Sequence, residues 1–225
     1  MSNKVFLGGT CNGSTWRDEL IPMLKIDYFN PVVPDWTPEC QQKEIAEKQI
    51  CKIHLYVITP QQKGLFTPAE IIDSSYNKQV LTVVGMIGDF EEAMKRSVKA
   101  VCDMAKKNGA IICDSVIEIG YVLNAFKYTD IKFRNRLLSL GWKETVHIHT
   151  DVVYIKYEHK NPDLDLTLSG GGDIMYLNGK LYCGTLGNIP IPTPNDLDNI
   201  LYSLGYFVSG DKYVMRENFK QMLAN

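Results

Sequence analysis

The sequence predicts an α/β fold over residues 1–127, a parallel sheet of five strands with helices on both faces, followed by a small α+β domain over residues 128–225. Three observations carry this. Five short apolar runs each precede a stretch of helical periodicity, and strands alternating with helices close into a parallel sheet whose faces the helices cover. Gly, Pro and Asn bound the runs, as expected where strands end and turns begin. After Lys127 the helical intervals give way to alternating apolar and polar runs, the pattern of half-buried strands.

The elements follow in order. "KVFLGG" is a strand ending in glycines, and "STWRDELIPML" is a helix capped by Ser14 or Thr15. "DYFNPVV" is a short strand cut off by Pro31 and Pro34, and "PECQQKEIAEKQICK" is a helix with a polar face. "IHLYVITP", β-branched and aromatic, is a strand ended by Pro60. A helix containing Glu70 comes next, then the strand "QVLTVVGMI". "DFEEAMKRSVKAVCDMAKKNG" is amphipathic, with Asp89 as its cap and Gly109 as its stop. "AIIC" and "SVIEIGYVLNAF", the latter capped by Asp114 or Ser115, complete the series.

In the second half, "IKFRNRLLSLGW" reads as a helix stopped by Gly141, and "ETVHIHT" and "VVYIKYEH" as strands. "DIMYLNGKLYCG" reads as a hairpin turning at Asn178-Gly179. "TPNDLDNILYSLGY" and "YVMRENFKQML" read as helices, and "SGGGD" (Ser169 to Asp173) as an inter-strand turn.

Bulk properties narrow the function. The chain has 225 residues, 45% hydrophobic and 22% charged, with a net charge of −2. This is ordinary globular composition, and it offers no electrostatic reason for long nucleic acid or an anionic membrane as partner. Apolar runs such as "VLTVVGMIG" fall well short of the ~20 residues that span a bilayer. The six cysteines (Cys11, Cys40, Cys51, Cys102, Cys113 and Cys183) form no C-x-x-C pair, and reduced thiols in a cytoplasmic protein are expected.

In parallel sheets of this kind the ligand crevice opens at the carboxyl ends of the strands, where strand order reverses. That selects the loops "GGTCNGSTWR", "NPVVPDW" and "TPQQKGLFTPAE". The first offers Gly8 and Gly9 for close backbone approach, hydroxyls at Thr10 and Ser14, and Arg17 for a phosphate or sugar hydroxyl, without the spacing of a P-loop or a dinucleotide fingerprint; by itself it also reads as a plain strand-to-helix turn. Trp16 and Trp36 sit in crevice loops, where each is a candidate either to stack on a flat ligand or to cover the sheet edge. The third loop, with Gly64, carries Glu70. With Thr67 as N-cap and Pro68 in the first turn, Glu70 has the spacing of a capping box. It also lies where a carboxylate could do chemistry, and spacing alone leaves both readings open. His147, His149 and His159 are read as exposed strand residues, with no metal site expected.

"VFLGGTCNGSTWRDELIP", "YFNPVVPDW", "HLYVITP" and "GLFTPAEIIDSS" occur in the order and spacing seen in the nucleoside 2-deoxyribosyltransferase-like superfamily. The resemblance spans about residues 3–127 and implies a flavodoxin-like five-stranded sheet. It implies cleavage or exchange of the N-glycosidic bond of a deoxynucleoside or nucleotide, with no cofactor. It also implies assembly as a dimer or larger homo-oligomer. The glutamate of the family's G-x-x-x-x-x-E motif, which attacks the anomeric carbon, falls at Glu70. That residue type suits the chemistry, because a carboxylate stabilises oxocarbenium character and can form a covalent glycosyl intermediate. The family's aspartate at the end of the third strand is missing from "YVITPQQKG", leaving Asp35 or Asp73 as substitutes. A silent nucleotide-binding module and an NAD-type glycohydrolase are the alternative readings.

Overall fold

The computed structural model describes residues 3–11, 13–35 and 37–127. Beyond them it describes residues 131, 134, 135, 138, 142–149 and 152–158, and the strand backbones at 165–169, 175–177, 180–183, 206–209 and 212–215. The chain divides into two compact units, Met1–Tyr128 with Ile148–Val153, and Thr129–His147 with Tyr154–Asn225.

The first unit is a five-stranded parallel sheet in the order β2-β1-β3-β4-β5, the flavodoxin-like arrangement. Its strands are β1 (Lys4–Gly9), β2 (Asp27–Phe29), β3 (Ile53–Ile58), β4 (Leu81–Met86) and β5 (Ile111–Cys113). Its helices are α1 (Trp16–Leu20), α2 (Pro38–Ile50), α3 (Phe66–Tyr76), α4 (Glu92–Lys107) and α5 (Val116–Ala125). All six residues of β3 are buried, which is why that stretch reads as an unbroken apolar run: helices cover a central parallel strand on both sides. Successive side chains alternate between the faces. Phe6, Tyr56, Ile58 and Val84 join Ile71 of α3 with Val98, Cys102 and Ala105 of α4 in one cluster. On the other face α1 packs with α5, and Ile119 of α5 lies over Gly85.

Local sequence explains most boundaries and corrects some expectations. Thr37 caps α2 by accepting from the Cys40 N–H, and Ser115 caps α5 by accepting from the Glu118 N–H. Helix α1 is only five residues long and passes into a 3-10 turn over Ile21–Met23, because Pro22 cannot extend an α-helical ladder. Asp89 does not cap α4; the N-cap is Glu91, with no side-chain cap bond. Gly109, at φ +97°, follows the end of α4 as expected of a helix stop.

A second sheet is made of β6 (Lys143–His149), β7 (Val152–Glu158), β8 (Asp165–Ser169), β9 (Met175–Leu177) and β10 (Lys180–Cys183), in the order β10-β9-β8-β7-β6. The β9–β10 pairing sets Leu177 opposite Lys180, the two residues that flank the expected Asn-Gly step. A further antiparallel hairpin is made by β11 (Tyr206–Ser209) and β12 (Lys212–Met215). It overturns the helix expected to begin at Tyr213. Phe207 pairs with Val214 and Val208 with Tyr213 along the two strands, and aromatic and β-branched residues of this kind favour extended backbone over helix. The remainder of that expected helix, the one expected over 193–206 up to β11, and residues 170–173 of "SGGGD" lie outside the described residues. Arg134 is buried against Glu144, donating from Nε at 2.7 Å and from a terminal nitrogen at 2.6 Å, and the Tyr157 hydroxyl donates to the same carboxylate at 2.9 Å. Among the described residues no helix is long and apolar enough to cross a membrane.

Candidate active site

Strand order reverses between β1 and β3, and a cleft of about 420 Å³ opens beside their carboxyl ends. Gly8, Gly9, Thr10, Arg17, Gly64 and Glu70 line it, joined by Cys11, Pro31, Val32, Val33, Glu44, Gln62, Phe66 and Thr67. Phe66, Val32 and Val33 are exposed apolar residues at its rim.

The first loop is braced internally. A Cβ at Gly8 would lie 2.7 Å from the Tyr56 ring, and one at Gly9, whose φ is +120°, would lie 2.2 Å from the Val57 carbonyl oxygen. Both glycines are therefore required by the β1–β3 contact itself. The Thr10 hydroxyl donates to Gln62 Oε1 at 2.8 Å and accepts from the Thr59 N–H at 3.1 Å, tying the two strand ends together. Arg17 is 6% exposed, lies 4.1 Å over the Trp16 ring, and donates to the carbonyls of Thr10 and Leu7, each at 2.9 Å. Burial lowers its pKa. Trp16 is buried with its indole N–H donated to the Thr10 carbonyl, and it borders the second cleft rather than the first. Ser14 borders a second, smaller cleft of about 270 Å³ with Thr59, Gln61 and Asp89. Asp35 and Asp73 are exposed and line neither cleft, and Trp36 lies outside the described residues.

Glu70 does not close a capping box. Helix α3 begins at Phe66 after Leu65, without a side-chain cap bond, and Glu70 falls in its second turn. Its carboxylate, 13% exposed, accepts from Lys48 Nζ of α2 at 2.7 Å.

Lys48 is itself held from behind. Its ammonium lies 5.5 Å from the Phe6 ring and 5.4 Å from the Tyr56 ring. Burial opposes the charge on Lys48, but Tyr56 and Glu70 outweigh it and raise the pKa. His54 Nε2 lies 3.0 Å from the Lys48 carbonyl, which can only accept, so Nε2 carries the proton and Nδ1 is the acceptor. The Ser74 hydroxyl, 3.0 Å away, therefore donates to Nδ1, and the Tyr56 hydroxyl donates to Ser74 at 2.8 Å. This leaves the Tyr56 oxygen lone pairs for the Lys48 ammonium. Burial holds His54 neutral, with its pKa lowered to about 4.

Glu44, one helical turn before Lys48 on α2, brings a second carboxylate to the cleft. Burial and the charge of Glu70 raise its pKa, against the opposing effects of Lys48 and Arg17. Neither Glu44 nor Lys48 stood out in the sequence. Their only signal is their i, i+4 spacing on a polar helix that follows a crevice loop. Among the described residues no group of three or more His, Cys, Asp or Glu could hold a metal ion. The five cysteines with described side chains are free thiols.

Residues 2–90 match the family model described as "Nucleoside 2-deoxyribosyltransferase like", the family that the motifs resemble. The match ends after β4, short of residue 127, and contains Glu44, Lys48 and Glu70. No curated protein and no solved structure gave a significant match to the chain.

Proposed function

We propose that the domain over residues 1–127 cleaves or exchanges the N-glycosidic bond of a deoxyribonucleoside or its 5′-monophosphate, with Glu70 as the nucleophile. One observation carries this reading: the Glu70 carboxylate stands at the wall of the strand-end cleft, free of any helix-capping role and paired with a lysine. A departing base leaves positive character at the anomeric carbon. A carboxylate can stabilise that charge and then bond to the carbon. The apolar rim of Phe66, Val32 and Val33 suits the flat faces of a base, while the polar inner wall suits the sugar. The acceptor is water or a second base.

The test is incubation with a panel of nucleosides, monophosphates and NAD, with free base read by chromatography, for the wild type and Glu70→Gln. Base release by the wild type alone supports the reading. Release that persists in Glu70→Gln removes the nucleophile assignment, and a wild type that binds nucleotides without releasing base leaves a binding module.

A further inference from the structure

The cleft lacks an acid at the end of β3, where Thr59, Gln61 and Gln62 stand, yet leaving bases need a proton. Two carboxylates among the described residues line the cleft, Glu44 from α2 and Glu70 from α3, and their surroundings differ. Glu70 is ion-paired with Lys48 at 2.7 Å, whereas the ion pairs of the described residues do not include Glu44. Because Glu44 and Lys48 lie one turn apart on the same helix face, the Glu44 carboxyl is carried to the side of the Lys48–Glu70 pair. Enzymes that break glycosidic bonds need two such groups with separate tasks, one that stays ionised and one that holds a proton.

We propose that Glu44 is the proton donor of this cleft, acting on the leaving base while Glu70 bonds to the anomeric carbon. This rests on the glycosidic reading above. In the first step a Glu70 oxygen forms a bond to the anomeric carbon, the bond from that carbon to the base nitrogen breaks, and the Glu44 proton goes to the base. In the second step water adds to the same carbon, the ester bond to Glu70 breaks, and the water proton returns to Glu44. Sugar and neutral base are the products, and both carboxyls are restored. The charged groups around Glu44 are Glu70 from α3, Lys48 from its own helix and Arg17 from α1. Burial and the negative Glu70 favour its protonated form, and the two cations oppose that.

The experiment compares Glu44→Gln and Glu70→Gln with the wild type, in single turnovers with enzyme in excess. Two substrates are used, a purine 2-deoxynucleoside and 4-nitrophenyl 2-deoxyriboside, whose 4-nitrophenolate leaving group departs without a proton. Loss of a general acid should slow purine release ~100-fold or more in Glu44→Gln and leave nitrophenolate release within about threefold. The alkaline limb of the wild-type profile of purine release against pH should vanish in that variant. Equal slowing of both leaving groups, or no slowing of either, overturns the proposal. The glycosidic reading fails separately, if Glu70→Gln releases both leaving groups at the wild-type rate. Glutamine preserves the shape of this half-buried side chain, and matching melting temperatures would show that the fold is intact.

Discussion

Lys48 Nζ lies 2.7 Å from Glu70 Oε1, joining the helix after β2 to the helix after β3 at the wall of the cleft. Thr67, three residues before Glu70, makes no side-chain cap bond to α3. A double-mutant cycle on stability separates these relationships. Lys48→Met with Glu70→Gln should show a coupling of about 1 kcal/mol, since both side chains are mostly shielded from water. Thr67→Ala with Glu70→Gln should show coupling near zero, and a larger Thr67 value would restore the capping box.

The Lys48 ammonium also bears on activity. A charge-assisted hydrogen bond of about 1.5–3 kcal/mol to a reacting carboxylate corresponds to roughly 10–100-fold in rate. Lys48→Met should lose base release by that factor, with a smaller change in KM. Equal activity of the variant would show that Lys48 serves the fold alone.

The sheet was legible in the sequence because its strands are buried on both faces, so that "IHLYVITP" reads as a continuous apolar run. Glu70 was legible only through the family motif. By spacing it resembled a cap, and the start of α3 at Phe66 removes that role. Glu44 and Lys48 were not legible, since a polar helix face looks the same whether it meets solvent or a cleft. The glycines of "GGT" were read for ligand approach, whereas the Tyr56 ring and the Val57 carbonyl already require them. Pairing of β11 with β12 depends on chain neighbours across a turn, which helical periodicity at Tyr213 masked.

The Gly9 contact supports a stability prediction. Alanine there would place a methyl 2.2 Å from the Val57 carbonyl oxygen at a φ of +120°. The backbone must shift where β1 pairs with β3, at a cost of roughly 3 kcal/mol or more. Gly9→Ala should lower the urea midpoint sharply, while Gly13→Ala, at φ +75° in open space, should cost no more than about 1–2 kcal/mol. Similar midpoints for the two variants would refute the close contact.

His54 predicts a pH dependence. Its pKa is lowered by burial from 6.5 to about 4 in the folded protein, so between these values the unfolded chain binds a proton that the native state refuses. Stability is therefore highest above pH 6.5 with respect to this group, falls as pH drops towards 4, and loses about 3 kcal/mol in all. Chemical denaturation at pH 7 and pH 4.5 should show a steeper fall for the wild type than for His54→Asn, which has no imidazole to protonate. Parallel slopes would show that His54 is already charged or solvated in the native state.

Arg17 distinguishes a structural clamp from a phosphate site. A residue that recognises a 5′-phosphate keeps its guanidinium donors facing the ligand. Arg17 instead donates to the carbonyls of Leu7 and Thr10, stacks on Trp16 and is almost fully buried, although it borders the cleft. Those bonds fix the end of β1 where the strand turns into the loop, and truncation would remove both of them and the stacking on Trp16, leaving the Thr10 carbonyl with the Trp16 indole N–H. Arg17→Ala should therefore cost roughly 2–4 kcal/mol of stability. In its folded fraction, the ratio of kcat/KM for a deoxynucleoside monophosphate to that for the nucleoside should match the wild type. A monophosphate preference that collapses in a variant of unchanged stability would assign Arg17 to the phosphate and overturn the clamp.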